Sequence, residues 1–207
     1  TRRSSDLVNR LKGIKEYQEM FAAAYPDQKN PVTYDNLQKA IGAFERTLVT
    51  PAPFDRYLKG DVNALTAEQR EGLKTFMDVG CVTCHSGPSL GGTSFQKFGV
   101  YADYRTATNS KVNDEGRKAV TKNEADKDMF KTPGLRNIAK TYPYFHDGSI
   151  NDLGEAVKIM GSLQLNKKLT DAQTKSIVQF LESLTGEVPE SAKQIPAALA
   201  QAQASTK

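Results

Sequence analysis

Two cysteines and a histidine form a cluster whose residue types and spacing could do chemistry. Two residues separate Cys81 from Cys84, and His85 follows directly. Thiols at this spacing on one helical turn can add to the two vinyl groups of a porphyrin, and the next side chain then lies under the iron. The motif therefore predicts a covalently attached c-type haem with His85 as the proximal iron ligand.

Other uses of the cysteine pair are a structural disulfide, a thioredoxin-like redox pair and half of a zinc site. A four-ligand zinc site needs more cysteines and histidines than this chain, with two of each, readily supplies. A redox pair has no need of a histidine directly after it. Covalent haem is therefore the favoured interpretation of the motif.

The second axial position of such a haem determines its function. A methionine gives a saturated iron of raised potential, a second histidine gives a saturated iron of lower potential, and an open position permits reaction with peroxide or oxygen. The candidates for this position are Met20, Met77, Met129, Met160 and His146.

Helical patterns separate these methionines only in part. Met20 and Met77 lie on predicted apolar helix faces, so a place in the core is favoured for both. Met129 and Met160 both follow the irregular middle of the chain and both stay open. Met160 has a small advantage because it directly precedes Gly161 at a predicted helix end, where its thioether could project into a pocket.

His146 lies in an aromatic, turn-prone segment, residues 142–148. As a structural residue it would donate a hydrogen bond to a carbonyl group or to Asp147, and this is the favoured reading. As a functional residue it would contact a haem propionate or serve as a second axial histidine.

Basic residues after the haem motif could form a docking rim for an electron donor near the haem edge. Acidic residues are interleaved with them, so a solvent-exposed loop is the favoured alternative. The basic residues are Arg117, Lys118, Lys122, Lys127 and Lys131, and the acidic ones are Glu115, Glu124, Asp126 and Asp128.

The composition is typical of a soluble protein. The apolar fraction is 38% and the mean hydropathy is −0.54, and no apolar run is long enough to cross a bilayer. The net charge of +4 comes from 28 basic and 24 acidic residues that are well mixed, which argues against nucleic-acid binding. The start shows no signal segment, so we expect a mature or trimmed chain. Covalent haem is attached outside the cytoplasmic membrane, and we therefore expect a periplasmic location.

Apolar periodicity in the first third predicts helices without redox residues. One stripe runs from Leu7 to Ala24 and stops at Pro26. Thr33 is predicted to cap a second helix that ends at Thr50-Pro51 and has an apolar face of Leu37, Ile41, Phe44 and Leu48. Helices this short bury little area between themselves, so we expect this segment to pack on something larger.

The remaining elements surround the haem motif. Capping boxes at Thr66–Gln69 and Thr170–Gln173 are predicted to open the helix that enters the motif and the helix that closes the domain. Residues 86–130 lack periodicity, as expected where a chain wraps a cofactor. Thr132-Pro133 predicts a short helix, and Asn151 predicts the cap of a helix that ends at Gly161. The fold class is therefore all-α, a cytochrome c-like haem domain with additional packed helices and long irregular loops around the haem.

Several longer motifs follow one family pattern. They are FKTPGLRN at 130–137, YPYFHDG at 142–148, EAVKIMG at 155–161 with Gln164-Leu165, AFERTL at 43–48 and PFDRYL at 53–58. Together with residues 80–87 they resemble the bacterial di-haem cytochrome c peroxidases and the related MauG-type proteins. The resemblance extends over residues 14–186.

The resemblance implies two c-type haems in the complete protein. The amino-terminal haem would be the peroxide site, and the carboxy-terminal haem, with histidine and methionine ligands, would take electrons from a small c-type cytochrome or cupredoxin. Cys81, Cys84 and His85 match the second haem, and Met160 matches its distal methionine. A tyrosine replaces that methionine in MauG-type proteins, so Met160 favours a peroxidase. The same comparison places Met129 outside the ligand position.

The resemblance also implies a calcium ion between two domains, held by backbone carbonyls at Thr141 and Pro143, and places His146 between the domains near haem propionates. The family's first haem motif and its catalytic residues would precede residue 1. Three explanations stay open: the sequence is trimmed, the missing segment belongs to another chain, or the protein is a mono-haem relative. The chain would then comprise a remnant of the peroxidatic domain at 1–63, a haem domain at 64–188 and a flexible tail at 189–207. The uncovered faces of the remnant predict a homodimer or an aggregation-prone fragment.

Three functions follow as hypotheses. The first is the electron-transfer portion of a peroxidase that reduces hydrogen peroxide to water. The second is a stand-alone mono-haem electron carrier without peroxidase activity. The third is a haem sensor or oxygen-binding module, which needs an open sixth position on the iron.

Overall fold

The computed structural model describes residues 2–195 and divides the chain into two compact units. Among the described residues, the first unit holds 2–50 and 188–195, and the second holds Pro51–Glu187. The α-helices are α1 (Arg2–Lys12), α2 (Lys15–Ala24), α3 (Tyr34–Glu45), α4 (Pro53–Leu58), α5 (Ala67–Val79), α6 (Tyr104–Thr108), α7 (Lys118–Thr121), α8 (Leu153–Leu165), α9 (Asp171–Glu182) and α10 (Glu190–Lys193). The strands are β1 (Phe95–Lys97) and β2 (Met129–Lys131), and short 3₁₀ turns cover Cys81–Thr83, Glu124–Asp126 and Ile138–Lys140. The predicted all-α class is confirmed, since the strands within residues 2–195 form a single small sheet of two strands.

The first unit packs α1, α2 and α3 around a small apolar cluster of Leu11, Phe21 and Val32. Its apolar stripe is divided between α1 and α2, which are separated at Gly13-Ile14. The predicted cap of α3 is confirmed, because the Thr33 hydroxyl accepts a hydrogen bond from the Asn36 amide at 3.2 Å.

The third helix differs from its prediction in its end and in its apolar face. It ends at Glu45 rather than at Thr50-Pro51. Ile41 and Phe44, on the predicted apolar face, are 49% and 51% exposed. This apolar surface is therefore uncovered in the described chain.

The core of the second unit lies mainly between α5 and α9. Phe180 and Leu184 are completely buried and Ile177 is almost so. The Phe180 ring meets Phe76 of α5 at a centroid distance of 5.3 Å. Burying an apolar side chain of this size contributes about 1.5–3 kcal/mol, so this helix pair is the main support of the segment that follows α5.

Both predicted capping boxes are confirmed. The Thr66 hydroxyl accepts from the Gln69 amide at 3.2 Å, and the Gln69 side chain accepts from the Thr66 amide at 3.0 Å. Thr170 and Gln173 repeat the pattern at 3.1 and 3.0 Å. These reciprocal bonds satisfy amides that a helix start leaves without partners.

The irregular section after the haem motif contains an antiparallel pair of short strands. Phe95 of β1 lies opposite Lys131 of β2. The predicted helix at Thr132-Pro133 is wrong, because Thr132 continues the extended pairing. Its amide donates to the Ser94 carbonyl and its carbonyl accepts from the Gly92 amide, both at 2.8 Å.

The boundaries of α8 also differ from the prediction. Asp152, not Asn151, caps the helix through a bond from the Glu155 amide at 2.7 Å. The helix continues through Gly161 to Leu165. Gly161 is buried against the side chain of Leu169, so its lack of a side chain serves close packing rather than helix termination.

Helix α4, at the start of the second unit, packs on the core of that unit. Phe54 of α4 meets Phe180 edge-on at 5.3 Å, although the sequence grouped this helix with residues 1–63. The three-part domain division stays a prediction, and residues 196–207 of the predicted tail lie outside the described residues. Within residues 2–195 no helix has both the length and the apolarity needed to span a membrane.

Candidate functional site

The predicted attachment motif forms a single tight turn directly after α5. Gly80 ends the helix with a left-handed backbone, at φ 101°. The chain then turns through Cys81–Thr83, and the amides of Cys84 and His85 both donate to the Cys81 carbonyl, at 3.3 and 3.0 Å. The turn therefore joins Cys81, Cys84 and His85 on one rigid segment whose direction is set by α5.

The imidazole of His85 is held in one orientation by a backbone carbonyl. Its Nδ1 lies 3.1 Å from the Leu90 oxygen. Because a carbonyl can only accept, Nδ1 carries the proton and Nε2 keeps a free lone pair. Burial lowers the pKa of His85, although hydrogen bonds to the Leu90 and Pro133 backbones act in the opposite direction. The ring is thus a neutral imidazole, the form that binds a metal.

Gly91 allows a second segment to approach this imidazole. At φ +128°, a Cβ on Gly91 would lie 2.2 Å from the Pro133 carbonyl oxygen and 3.3 Å from the His85 Nδ1. No side chain fits in that space. The segment around Pro133 therefore packs directly against the loop that follows His85.

The surroundings of Cys81 argue against a redox pair. Its side chain packs on the core of the second unit, and this burial raises the pKa of the thiol to about 11, although the nearby Lys167 lowers it. A thiol with this pKa is protonated at neutral pH, whereas a redox-active cysteine depends on a lowered pKa. Cys81 and Cys84 are also free rather than joined in a disulfide.

Met160 belongs to an aromatic cluster separate from the main core. The buried centre of the cluster is Phe98, Tyr104 and Leu163, and Met160 packs against it half-buried. Phe98 and Tyr104 stack at a centroid distance of 4.7 Å. The Met160 thioether therefore has an apolar, aromatic setting, which is a favourable one for sulfur.

The other methionines have different surroundings. Met77 and Met20 are 50% and 39% exposed, so the prediction that both belong to a core is wrong. Met129 lies half-buried in β2, where its backbone pairs with Lys97.

His146 lies at the edge of the same aromatic cluster as Met160. Its ring stacks on Phe130 at 4.1 Å and meets Tyr104 edge-on at 5.3 Å. The residue is nevertheless exposed. The structure thus brings His146 and Met160 to one cluster, and Cys81, Cys84 and His85 to one turn.

Family comparisons agree with this geometry. Residues 69–185 match the family model of cytochrome c. The chain belongs to the cytochrome c family. Residues 2–63 match a second model, described as di-haem cytochrome c peroxidase. The resemblance to that family, based on the sequence motifs, is confirmed.

Individual relatives of this cytochrome c chain carry peroxidase names. It is 48% identical over 180 residues to cytochrome c551 peroxidase of Pseudomonas aeruginosa, covering 86% of the chain and 52% of that protein. It is 46% identical over 178 residues to cytochrome c551 peroxidase of Nitrosomonas europaea, again covering 86% and 52%. The chain thus spans about half the length of these curated relatives.

A solved structure shows the same fold. The crystal structure of a MauG-like protein associated with microbial copper homeostasis superposes with a TM-score of 0.74 at 26% identity. The match covers 94% of this chain and 65% of that one. The likeness therefore includes nearly the whole cytochrome c chain.

The donor set of the turn fits covalent haem c, the cofactor that both family assignments imply. Two free thiols lie on one turn, as the two thioether bonds require. His85 offers an unprotonated Nε2 while Nδ1 is anchored to the Leu90 carbonyl. Metal-binding histidines ordinarily have their other nitrogen held in this way.

The predicted calcium residues, Thr141 and Pro143, lie on an exposed segment. In the part of the chain that the structure describes, no group of three or more His, Cys, Asp or Glu side chains could hold a metal ion. A calcium site here would therefore depend on backbone carbonyls.

The basic residues of the proposed docking rim are partly neutralised. Lys118 pairs with Glu115 at 2.8 Å and with Glu124 at 2.9 Å. Arg117 pairs with Asp126 at 3.3 Å. These pairs favour the alternative, a loop of interleaved charges.

Two parts of the site were not predicted from the sequence. The carbonyl of Leu90 carries no side-chain signal, because any residue supplies one. Arg136 makes three hydrogen bonds, two to Asp55 and one to the Pro88 carbonyl. Arg136 lies in the motif FKTPGLRN and Asp55 in the motif PFDRYL. The opposite charges of these two motif residues could have suggested the ion pair.

Proposed function

We propose that the chain is the electron-transfer portion of a periplasmic di-haem cytochrome c peroxidase, an enzyme that reduces hydrogen peroxide to water. In this portion haem c is attached through Cys81 and Cys84, with His85 as proximal ligand and Met160 as distal ligand. The bound haem supplies one-electron chemistry. Catalytic residues for peroxide lie outside this chain.

One observation carries the proposal. A neutral, half-buried imidazole is anchored at Nδ1 and directly follows two free thiols on one turn. This arrangement suits a proximal iron ligand and has no evident use in a disulfide or redox pair. The 48% identity to a cytochrome c551 peroxidase over 86% of the chain supports the enzyme class.

The distal side supports electron transfer rather than peroxide chemistry. Met160 packs in the aromatic cluster around Phe98 and Tyr104. A thioether ligand in apolar surroundings saturates the iron and raises its potential. Peroxide would then find no open coordination position. His146, at the exposed edge of this cluster, would lie near the haem propionates.

Further parts of the proposal concern the complete protein. A second haem, in a peroxidatic domain, would receive the electrons. A small c-type cytochrome or cupredoxin would donate them. A calcium ion at the carbonyls of Thr141 and Pro143 and a homodimer complete the assembly. The exposed apolar residues Ile41 and Phe44 of α3 suit a surface that is covered in such an assembly.

The alternative is a stand-alone mono-haem electron carrier. The chain contains only two cysteines, which form one attachment motif. One covalent haem with histidine and methionine ligands is sufficient for a carrier. The two functions make the same demands on Cys81, Cys84, His85 and Met160.

The test uses the chain expressed with a haem-attachment system. Mass spectrometry of tryptic peptides should find one haem on the peptide that contains Cys81 and Cys84. The ferric protein should accept electrons from a reduced small c-type cytochrome or cupredoxin, and alone it should not turn over peroxide. Rapid peroxide turnover by the chain alone, or absence of the haem peptide, would contradict the proposal. A second attachment motif upstream in the parent gene would distinguish the peroxidase from the carrier.

A further inference from the structure

Arg136 joins three segments of the second unit. Its Nη1 and Nη2 donate to the two carboxylate oxygens of Asp55, each at 2.8 Å. Its Nε donates to the carbonyl oxygen of Pro88 at 2.9 Å. The guanidinium also lies 5.8 Å from the centroid of the Phe54 ring. A planar guanidinium group whose Nε, Nη1 and Nη2 all donate hydrogen bonds is fixed in one orientation.

The Pro88 carbonyl belongs to the loop that orients His85. Leu90, two residues on, has a left-handed backbone at φ 48° and a buried side chain. This conformation is unfavourable for leucine and needs external support. Its carbonyl accepts the hydrogen bond from the His85 Nδ1. The position of the loop therefore decides the geometry of that bond.

The other end of the connection is rigid. Asp55 also accepts a hydrogen bond from the Ala52 amide at 2.7 Å at the start of α4. Burial raises its pKa, but the bonds from Ala52 and Arg136 outweigh this and leave the pKa below the ordinary value. Asp55 is thus an anion at neutral pH, and Phe54 beside it is buried in the core.

We propose that Arg136 is a positioning residue for the proximal iron ligand: by tying the Pro88–Leu90 loop to Asp55 of α4, it sets the hydrogen bond between the Leu90 carbonyl and the His85 imidazole and so tunes the haem potential. The inference rests on the proposed role of His85 as a ligand. Arg136 itself touches neither the imidazole nor the place of the iron.

The direction of the effect follows from ligand chemistry. A strong hydrogen bond from Nδ1–H makes the imidazole more basic, and a more basic ligand stabilises the ferric state. Loosening the loop weakens that bond, so the reduction potential rises. The backbone bond from the Leu135 amide to the Ser89 carbonyl, at 3.0 Å, does not involve the Arg136 side chain. The loop should therefore loosen rather than unfold.

The decisive variant is Arg136→Lys, which keeps the positive charge and removes the planar guanidinium group that donates two hydrogen bonds to Asp55. In the ¹⁵N-labelled, haem-containing full chain in its ferrous state, the His85 Nδ1–H proton should exchange about tenfold faster than in the unchanged protein, as expected for a weakened hydrogen bond. The midpoint potential should rise. Arg117→Lys is the matched control, since Arg117 pairs with Asp126 at 3.3 Å and lies over the Phe95 ring. It should change neither value.

The outcomes separate positioning from charge. Unchanged exchange and potential in Arg136→Lys would overturn the proposal. If that variant does not take up haem, Asp55→Asn decides instead. If Arg136 positions the loop, Asp55→Asn should show both faster exchange of the His85 Nδ1–H proton and a raised midpoint potential. A raised potential with an unchanged exchange rate would mean that only the lost negative charge of Asp55 matters, and it would overturn the proposal. Failure of the proposed ligand role of His85 has a different signature, because the unchanged protein would then lack the His85 resonance of a haem ligand.

Discussion

Gly72 of α5 lies directly against the backbone of Ser176 in α9. A Cβ on Gly72 would be 2.1 Å from the Ser176 carbonyl oxygen and 2.9 Å from the Phe180 Cβ. Backbone and a buried aromatic residue leave no room for adjustment, so the two helices meet at the distance that glycine allows. This contact fixes α5, and α5 in turn directs the turn that contains Cys81.

The first prediction is that Gly72→Ala forces these helices apart. Inserting one methyl group into a closed contact destabilises by about 3 kcal/mol. Chemical denaturation of the haem-containing protein measures the change in the free energy of unfolding. Gly42→Ala is the control, because the nearest atoms to a Cβ there belong to Arg46 and are 3.8 Å away. Equal destabilisation by the two substitutions would refute the close contact.

The starts of α5 and α9 were predictable because their capping chemistry is local. Thr66 with Gln69, and Thr170 with Gln173, meet within three residues of each other, so their spacing alone indicates the capping bonds. The haem motif is equally local. Its two thiols and its imidazole lie within five consecutive residues.

The irregular section was not predictable in the same way, because its partners are distant in sequence. The Thr132 amide bonds to the Ser94 carbonyl, and this pairing excludes the helix that Thr132-Pro133 suggests locally. Strands of three residues, such as β1, are too short to show an alternating pattern. The helix end predicted at Gly161 was wrong for a related reason. Gly161 packs on Leu169, a contact that the residues next to it in sequence do not indicate.

The second prediction concerns Gly91, beside the proximal imidazole. Gly91→Ala places a Cβ 2.2 Å from the Pro133 carbonyl oxygen, so the loop must move and His85 with it. We expect about 3 kcal/mol of destabilisation beyond the backbone strain, together with reduced haem attachment. The absorbance ratio of haem to protein and a thermal melt measure both.

The neighbouring glycine supplies the control for this prediction. Gly92 also has a positive φ, +85°, but a Cβ there meets nothing within 4 Å. Gly92→Ala should therefore show only the backbone strain, about 1–2 kcal/mol. If Gly92→Ala were as damaging as Gly91→Ala, the contact with Pro133 would not be the cause.

The third prediction is acid sensitivity at Asp55. The folded-state pKa of Asp55 lies below its ordinary value, because the hydrogen bonds from Ala52 and Arg136 outweigh the opposing effect of burial. A lowered folded-state pKa stabilises the fold at pH values above the unfolded pKa, and this contribution is lost as pH falls through the folded value. The stability difference between the unchanged protein and Asp55→Asn should thus be largest above about pH 4 and shrink below it.

Asp171 offers a matched control for the acid titration. It pairs with Lys158 at 2.6 Å, but its side chain is 94% exposed. Solvent screens an exposed pair, so Asp171→Asn should change stability little at any pH. A pH-independent difference for Asp55→Asn would show that the carboxylate contributes through shape rather than charge.

The fourth prediction tests Met160 as the distal ligand. Met160→Ala removes the thioether, so the potential should fall and the sixth coordination position should open. The far-red sulfur-to-iron band of the ferric protein should disappear, and the ferrous protein should bind carbon monoxide. Met129→Ala is the control, because Met129 is also half-buried but belongs to β2. An unchanged spectrum and potential in Met160→Ala, or loss of the band in Met129→Ala, would show that another side chain completes the iron coordination.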